Sequence, residues 1–113
     1  MIKIYHNPRC SKSRQGLALL EDSGKEFKII KYLEDGLTVS ELETIISKLN
    51  IKPINLVRKN ETIWKSDYKS KTLSDQQILE AMVLHSKLIE RPIVVNKSKA
   101  VVGRPPETIL EII

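Results

Sequence analysis

The chain has a single cysteine, Cys10, in 113 residues. That excludes an internal disulfide and a cysteine-rich zinc site, and it makes a reducing, cytoplasmic setting the default. Aromatic residues are scarce, with one Trp, three Tyr and one Phe. Lys and Arg are spread along the chain, so there is no basic-aromatic platform for stacking bases, and nucleic acid is not expected as a partner. No apolar run reaches the roughly 18 residues of a membrane span. The first residues lack the basic region and long apolar stretch of a secretory leader. Repeats, low-complexity tracts and linkers are also missing. A single domain over residues 1–113 is the reading, large enough for a modest core without metal or disulfide staples. The formal net charge of +5 favours anionic partners, although a solvated surface accounts for it equally.

What is present is organised around His6-Asn7-Pro8-Arg9-Cys10-Ser11-Lys12-Ser13-Arg14. An extended apolar run, Ile2 to Tyr5, precedes it, and an amphipathic run from Gln15 follows. Strand, tight turn and helix is the natural reading, with Cys10 at or just before the first helical turn. The first N–H groups of a helix have no partner within it and carry the positive end of its dipole. A thiol placed there ionises more easily, and the same groups can cradle an anion. Arg9, Lys12 and Arg14 add positive charge nearby. The plain alternative for Cys10 is a small buried hydrophobe. Its charged and polar neighbours favour an accessible, reactive thiol instead.

The remaining elements follow from caps and periodicity. Met1–Tyr5 reads as a strand and Cys10 or Ser11 to about Ser23 as a helix, closed by Gly24. Glu26–Tyr32 reads as a second strand, parallel to the first across the helix, and Leu33–Gly36 as a loop. Thr38 with Glu41, and Ser74 with Gln77, have capping-box spacing, each bracketed by a hydrophobic staple pair. Leu42, Ile45, Ile46 and Leu49 form one apolar stripe; Ile78, Ala81, Met82 and His85 share another face. His85 reads as a helix-terminal residue. Ile54, Leu56 and Val57 suggest a short helical turn, and Trp64 with Tyr68 a short helix covering the core. Ile93–Val95 and Ala100–Val102 read as a hairpin about Asn96–Ser98, and Glu107–Ile113 as a last helix.

The order is β-α-β, a helical insertion at about residues 38–90, then β-β-α. An α/β fold of the thioredoxin-like kind accounts for it: a four-stranded mixed sheet flanked by helices. In that architecture a proline before the third strand faces the reactive cysteine. Pro92 holds that place, and a cis peptide is expected at Arg91–Pro92.

Three motifs then converge. They are the stretch from Tyr5 to Arg14, Arg91-Pro92-Ile93-Val94-Val95, and Gly103-Arg104-Pro105-Pro106-Glu107. With Leu56-Val57-Arg58-Lys59-Asn60, they closely resemble the glutaredoxin-coupled arsenate reductases of the thioredoxin-like superfamily, from about Ile4 to Ile112. The resemblance implies that Cys10 is the nucleophile and that His6 helps to tune it. It also implies that Arg58, Arg91 and Arg104 hold the oxyanion. Relatives in the same group include a regulator that binds RNA polymerase and carries Cys-x-x-Cys; here the second position is Ser13, so that switch cannot form.

The residues carry the same chemistry. Three planar guanidinium groups suit an oxyanion such as arsenate. Each arginine also has a plain reading: Arg58 paired with Glu61, Arg104 with Glu107, Arg91 in a loop. Arg91 and Arg104 rank above Arg58, because neighbouring prolines fix their backbones. Ser13 either hydrogen-bonds the thiolate or satisfies the helix N-terminus, and the sign of any His6 effect depends on its charge. No metal or bound cofactor is expected. With no second cysteine, the reducing thiol has to come from outside, with glutathione as co-substrate and glutaredoxin resolving the mixed disulfide. A monomer is expected. The competing readings are a glutathione-dependent thiol oxidoreductase of another substrate and a non-enzymatic relative of the polymerase-binding regulator.

Overall fold

The computed structural model describes residues 1–113. The chain divides into two units, one formed by Met1–Asp35 with Arg91–Ile113, the other by Gly36–Glu90.

The first unit holds β1 (Ile2–Tyr5), α1 (Ser11–Asp22), β2 (Phe27–Ile30) and a one-turn α2 (Tyr32–Asp35). From its second segment come β3 (Ile93–Asn96), β4 (Lys99–Val102) and a C-terminal 3-10 helix (Pro106–Glu111). The strands form one sheet in the order β2-β1-β3-β4. The β1–β2 pair is parallel, as a helical crossover requires, and the other two pairs are antiparallel. Strand periodicity sends Ile2 and Ile4 to one face, where they pack with Val94, Leu20 of α1 and Ile109 of the C-terminal helix. The α1 helix is capped at its C-terminus by Ser23, and Gly24 follows at φ +72°, a conformation that costs a glycine little. The chain end is tied back by Asn96 Nδ2, which donates to the Ile112 carbonyl at 2.6 Å, and by Lys25 Nζ, which donates to the Ile113 carbonyl.

Two glycines, Gly16 in α1 and Gly103 after β4, let their segments close on Pro92 and Ile109. A Cβ on Gly16 would stand 2.8 Å from Ile109 Cδ1 and 3.1 Å from Pro92 Cγ. One on Gly103 would stand 2.9 Å from Pro92 Cγ and 3.0 Å from Ile109 Cδ1. Helix, proline and C-terminal helix therefore meet over two missing methyl groups.

The second unit is helical. Its α3 (Val39–Leu49) and α5 (Asp75–Leu84) both start with complete capping boxes. Thr38 Oγ1 accepts from Glu41 N–H at 3.1 Å while Glu41 Oε1 accepts from Thr38 N–H at 3.1 Å. Ser74 and Gln77 repeat the exchange at 3.2 and 2.8 Å. Leu42, Ile45 and Ile46 are buried along α3, and Ile78, Leu79, Ala81 and Met82 along α5. Between them, α4 (Thr62–Asp67) buries Trp64, which stacks on Tyr68 with ring centroids 5.5 Å apart. His85 caps α5 and meets the Tyr68 ring edge-on. The ends of the unit pair: Arg58 N–H donates to the Leu88 carbonyl at 2.7 Å, and Glu90 N–H to the Leu56 carbonyl at 2.9 Å.

Three boundaries differ from the sequence reading. The second strand is shorter than Glu26–Tyr32, because Tyr32 turns inward, almost wholly buried, to start the single turn of α2. The expected loop at Leu33–Gly36 is in large part that turn. The C-terminal helix is 3-10 throughout and starts at Pro106, whose fixed φ suits a first helical position.

Candidate active site

Strand register gathers the first unit's candidate residues at one end of the sheet. Tyr5, the last residue of β1, stands opposite Ile93, the first of β3, and Ile93 stands opposite Val102, the last of β4. The loop that follows β1, the residues that precede β3 and those that follow β4 therefore emerge together. They carry His6 to Cys10, Arg91-Pro92, and Gly103-Arg104. The Arg91–Pro92 peptide is cis, as expected, and so is Arg104–Pro105, which the sequence analysis did not anticipate.

The nucleophile loop is held by its own side chains. Asn7 Oδ1 accepts from Arg9 N–H at 3.0 Å, closing a turn of the kind Asn favours. Cys10 N–H donates to the Asn7 carbonyl at 3.0 Å. Asn7 N–H donates to Ser13 Oγ at 3.2 Å, and Arg14 Nη1 to the Pro8 carbonyl at 3.0 Å. His6 N–H extends the β1–β2 ladder, donating to the Ile30 carbonyl at 2.9 Å.

Cys10 is the N-cap of α1, and no acidic side chain sits in the helix's first turn. Its exposure is 8%, so the expected accessible thiol is in fact largely covered. The flanking residues misled because Arg9 and Ser11 are exposed while Cys10 between them, like Ser13 one turn on, is buried. Burial pushes the Cys10 thiol up. The Ser13 N–H, the Arg91 guanidinium, the Lys12 N–H and the Arg104 guanidinium together outweigh it and leave the thiol below its ordinary value. Both N–H groups belong to the helix's first turn, where backbone donors lack intrahelical partners and favour a negative charge.

The charges acting on the sulfur differ from those its neighbours suggested. The cations that act on Cys10 by charge are Arg91 and Arg104, not its neighbours Arg9 and Arg14. Arg14 is turned to the Pro8 carbonyl, and its charge acts on His6. The Ser13 alternatives resolve as well: the hydroxyl serves the Asn7 backbone, and it is the Ser13 N–H that acts on the sulfur. Arg104 Nη1 donates to the Arg91 carbonyl at 3.1 Å, which couples the two arginines.

His6 is 5% exposed, and its Nδ1 is buried without a hydrogen-bond partner. Burial, then the charges of Lys31 and Arg14, hold its pKa below the usual histidine value. The imidazole is thus neutral at neutral pH and brings no positive charge to the sulfur.

Residues 5–112 match the ArsC family. The chain belongs to that family. An arsenate reductase of Haemophilus influenzae is 47% identical over 112 residues, covering 97% of each chain. An Escherichia coli protein with no activity in its name, YfgD, is 43% identical over 114 residues, covering 99% of this chain and 96% of its own. The solved structure of an arsenate reductase from Vibrio cholerae superposes with a TM-score of 0.95 at 46% identity, covering 99% of this chain and 97% of that one.

The third candidate arginine of this ArsC chain, Arg58, lies in the other unit. There it pairs with Glu61 at 3.7 Å and donates to the Lys87 carbonyl at 3.3 Å, so its plain reading is realised. No group of three or more His, Cys, Asp or Glu is placed to hold a metal ion. No helix is long and apolar enough to cross a membrane. Sequence reasoning overlooked Gly16 and Gly103 as contact points. The signal at Gly16 is a glycine in mid-helix, which costs about 1 kcal/mol relative to Ala and so asks for a packing reason.

Proposed function

We propose that this ArsC chain reduces arsenate to arsenite, with Cys10 as nucleophile and Arg91 and Arg104 as oxyanion ligands. Pro92 and Ser13 are positioning residues of the site, and neutral His6 tunes it through its dipole. The geometry of the first unit supports these roles; Arg58, as a third oxyanion ligand, rests on the resemblance alone. One observation carries the reading most: a largely covered thiol whose ionised form is nonetheless favoured, in part by the two arginines that an oxyanion needs. A thiol whose burial was the prevailing influence, held above its ordinary value, would have argued the other way.

Cys10 thiolate attacks arsenic; an S–As bond forms, an As–O bond breaks, and the oxygen leaves as water after protonation. An outside thiolate then attacks Cys10 Sγ. The S–S bond forms, the S–As bond breaks, and the electron pair stays on arsenic, which passes from As(V) to As(III). The two sulfurs supply both electrons. Glutathione is the outside thiol, and a glutaredoxin thiolate attacks the glutathione sulfur and releases Cys10. The protein acts as a cytoplasmic monomer.

The test is NADPH oxidation coupled through glutathione reductase, glutathione and glutaredoxin. Arsenate should start it, and Cys10→Ser should abolish it. Silent wild-type protein, or faster turnover of a glutathionylated peptide than of arsenate, would remove arsenate as the substrate.

A further inference from the structure

A cleft of about 220 Å3 opens beside the nucleophile loop, bounded by residues 6–9 on one side and by Lys31, Leu33 and Glu34 on the other. Cys10, Arg91 and Arg104 do not line it, yet Arg9, on its wall, is the residue before Cys10. Arg9, Lys31 and Glu34 make no ion pair, so two positive charges and one negative charge stand unspent. Leu33 is 42% exposed, an apolar surface in the same wall. His6 lines the cleft with an unpartnered, buried Nδ1, and a polar atom left so asks for an explanation. The charge of Lys31 reaches far enough to act on that imidazole.

An arrangement of two cations, one carboxylate and a small apolar surface fits an amphoteric molecule. Carboxylates would meet Arg9 and Lys31, and an ammonium would meet Glu34. The chain itself calls for a molecule near Cys10, since a lone cysteine needs a thiol from outside. We infer that this cleft seats that thiol, a small peptide carrying carboxylate and ammonium groups, of which glutathione is one. The inference rests on the reading of Cys10 as a nucleophile that an outside thiol resets.

S-methylglutathione, which cannot exchange with Cys10, isolates binding from chemistry. Titrated into the isotope-labelled protein, it should give saturable amide shifts concentrated at residues 6–9 and 31–34. Lys31→Glu should weaken that binding about tenfold, the scale of one charge-assisted contact. In turnover, Lys31→Ala should raise KM for glutathione about fivefold, well beyond any change in KM for arsenate or in the rate with uncharged 2-mercaptoethanol. Shifts elsewhere, no saturation, an unchanged Kd in Lys31→Glu, or an equal loss with both thiols would overturn the inference. So would shifts produced at these residues by glutaredoxin and not by the peptide. A protein that binds S-methylglutathione here but ignores arsenate keeps the cleft and loses the proposed function. One that reduces arsenate with glutathione yet shows no such footprint does the reverse.

Discussion

Replacing Gly16 by Ala tests whether α1 is pressed against the cis-proline end of the sheet. The added methyl would lie 2.8 Å from Ile109 Cδ1 and 3.1 Å from Pro92 Cγ, both closer than ordinary contact. Overpacking of this kind costs about 1–3 kcal/mol. Ala is a better helix former than Gly by about 1 kcal/mol, which acts in the opposite direction. The net expectation is a loss of about 1 kcal/mol, within a range of about 0–2. Ile109→Val removes the nearer clashing atom and alone costs about 0.5–1.5 kcal/mol. In that background Gly16→Ala should become neutral or stabilising, with a favourable coupling of about 1 kcal/mol between the two positions. Urea unfolding of the four proteins, with m unchanged, reads the cycle. If Gly16→Ala alone stabilises by the full propensity difference and the coupling is zero, the close approach is wrong.

Three further outcomes follow from the same geometry. Thr38→Ala and Ser74→Ala should each cost about 1 kcal/mol by urea unfolding, and their effects should add, because they cap different helices. Ser13→Ala leaves the Asn7 N–H without its acceptor; a loss of about 1–3 kcal/mol is expected in the same assay. Arg58→Ala removes a partly exposed pair with Glu61 and should change stability by less than about 1 kcal/mol. Its KM for arsenate should rise less than that of Arg104→Ala in steady-state kinetics.

Much of this was legible in the chain because it is local. The two capping boxes are four-residue statements, and they form as written at Thr38 and Ser74. Cys10 stands at the helix start because a strand, an Asn-Pro turn and an amphipathic run leave it nowhere else. The cis bond at Arg91–Pro92 was legible only through the fold, since nothing local demands it. What failed was inference from neighbours in the sequence. The residues flanking Cys10 said nothing of its burial, because a cap side chain and its neighbours point different ways. The cations that matter to the sulfur come from residues 81 and 94 places further along, brought near by the pairing of Ile93 with Val102. The Ser13 and Lys12 N–H groups are backbone, so no residue type announces them. The turn of α2 is too short to carry a period.

The central claim concerns the charge state of one sulfur and what its surroundings bind. It is tested most directly by the rate of Cys10 alkylation by iodoacetamide against pH, with and without arsenate. The account predicts a profile centred below that of an ordinary thiol, moved upward by Arg91→Ala and by Arg104→Ala, because each removes a charge that favours the thiolate. Arsenate should slow the wild-type reaction and lose that effect in both variants. A profile like that of a free cysteine, or alkylation indifferent to arsenate, would contradict it.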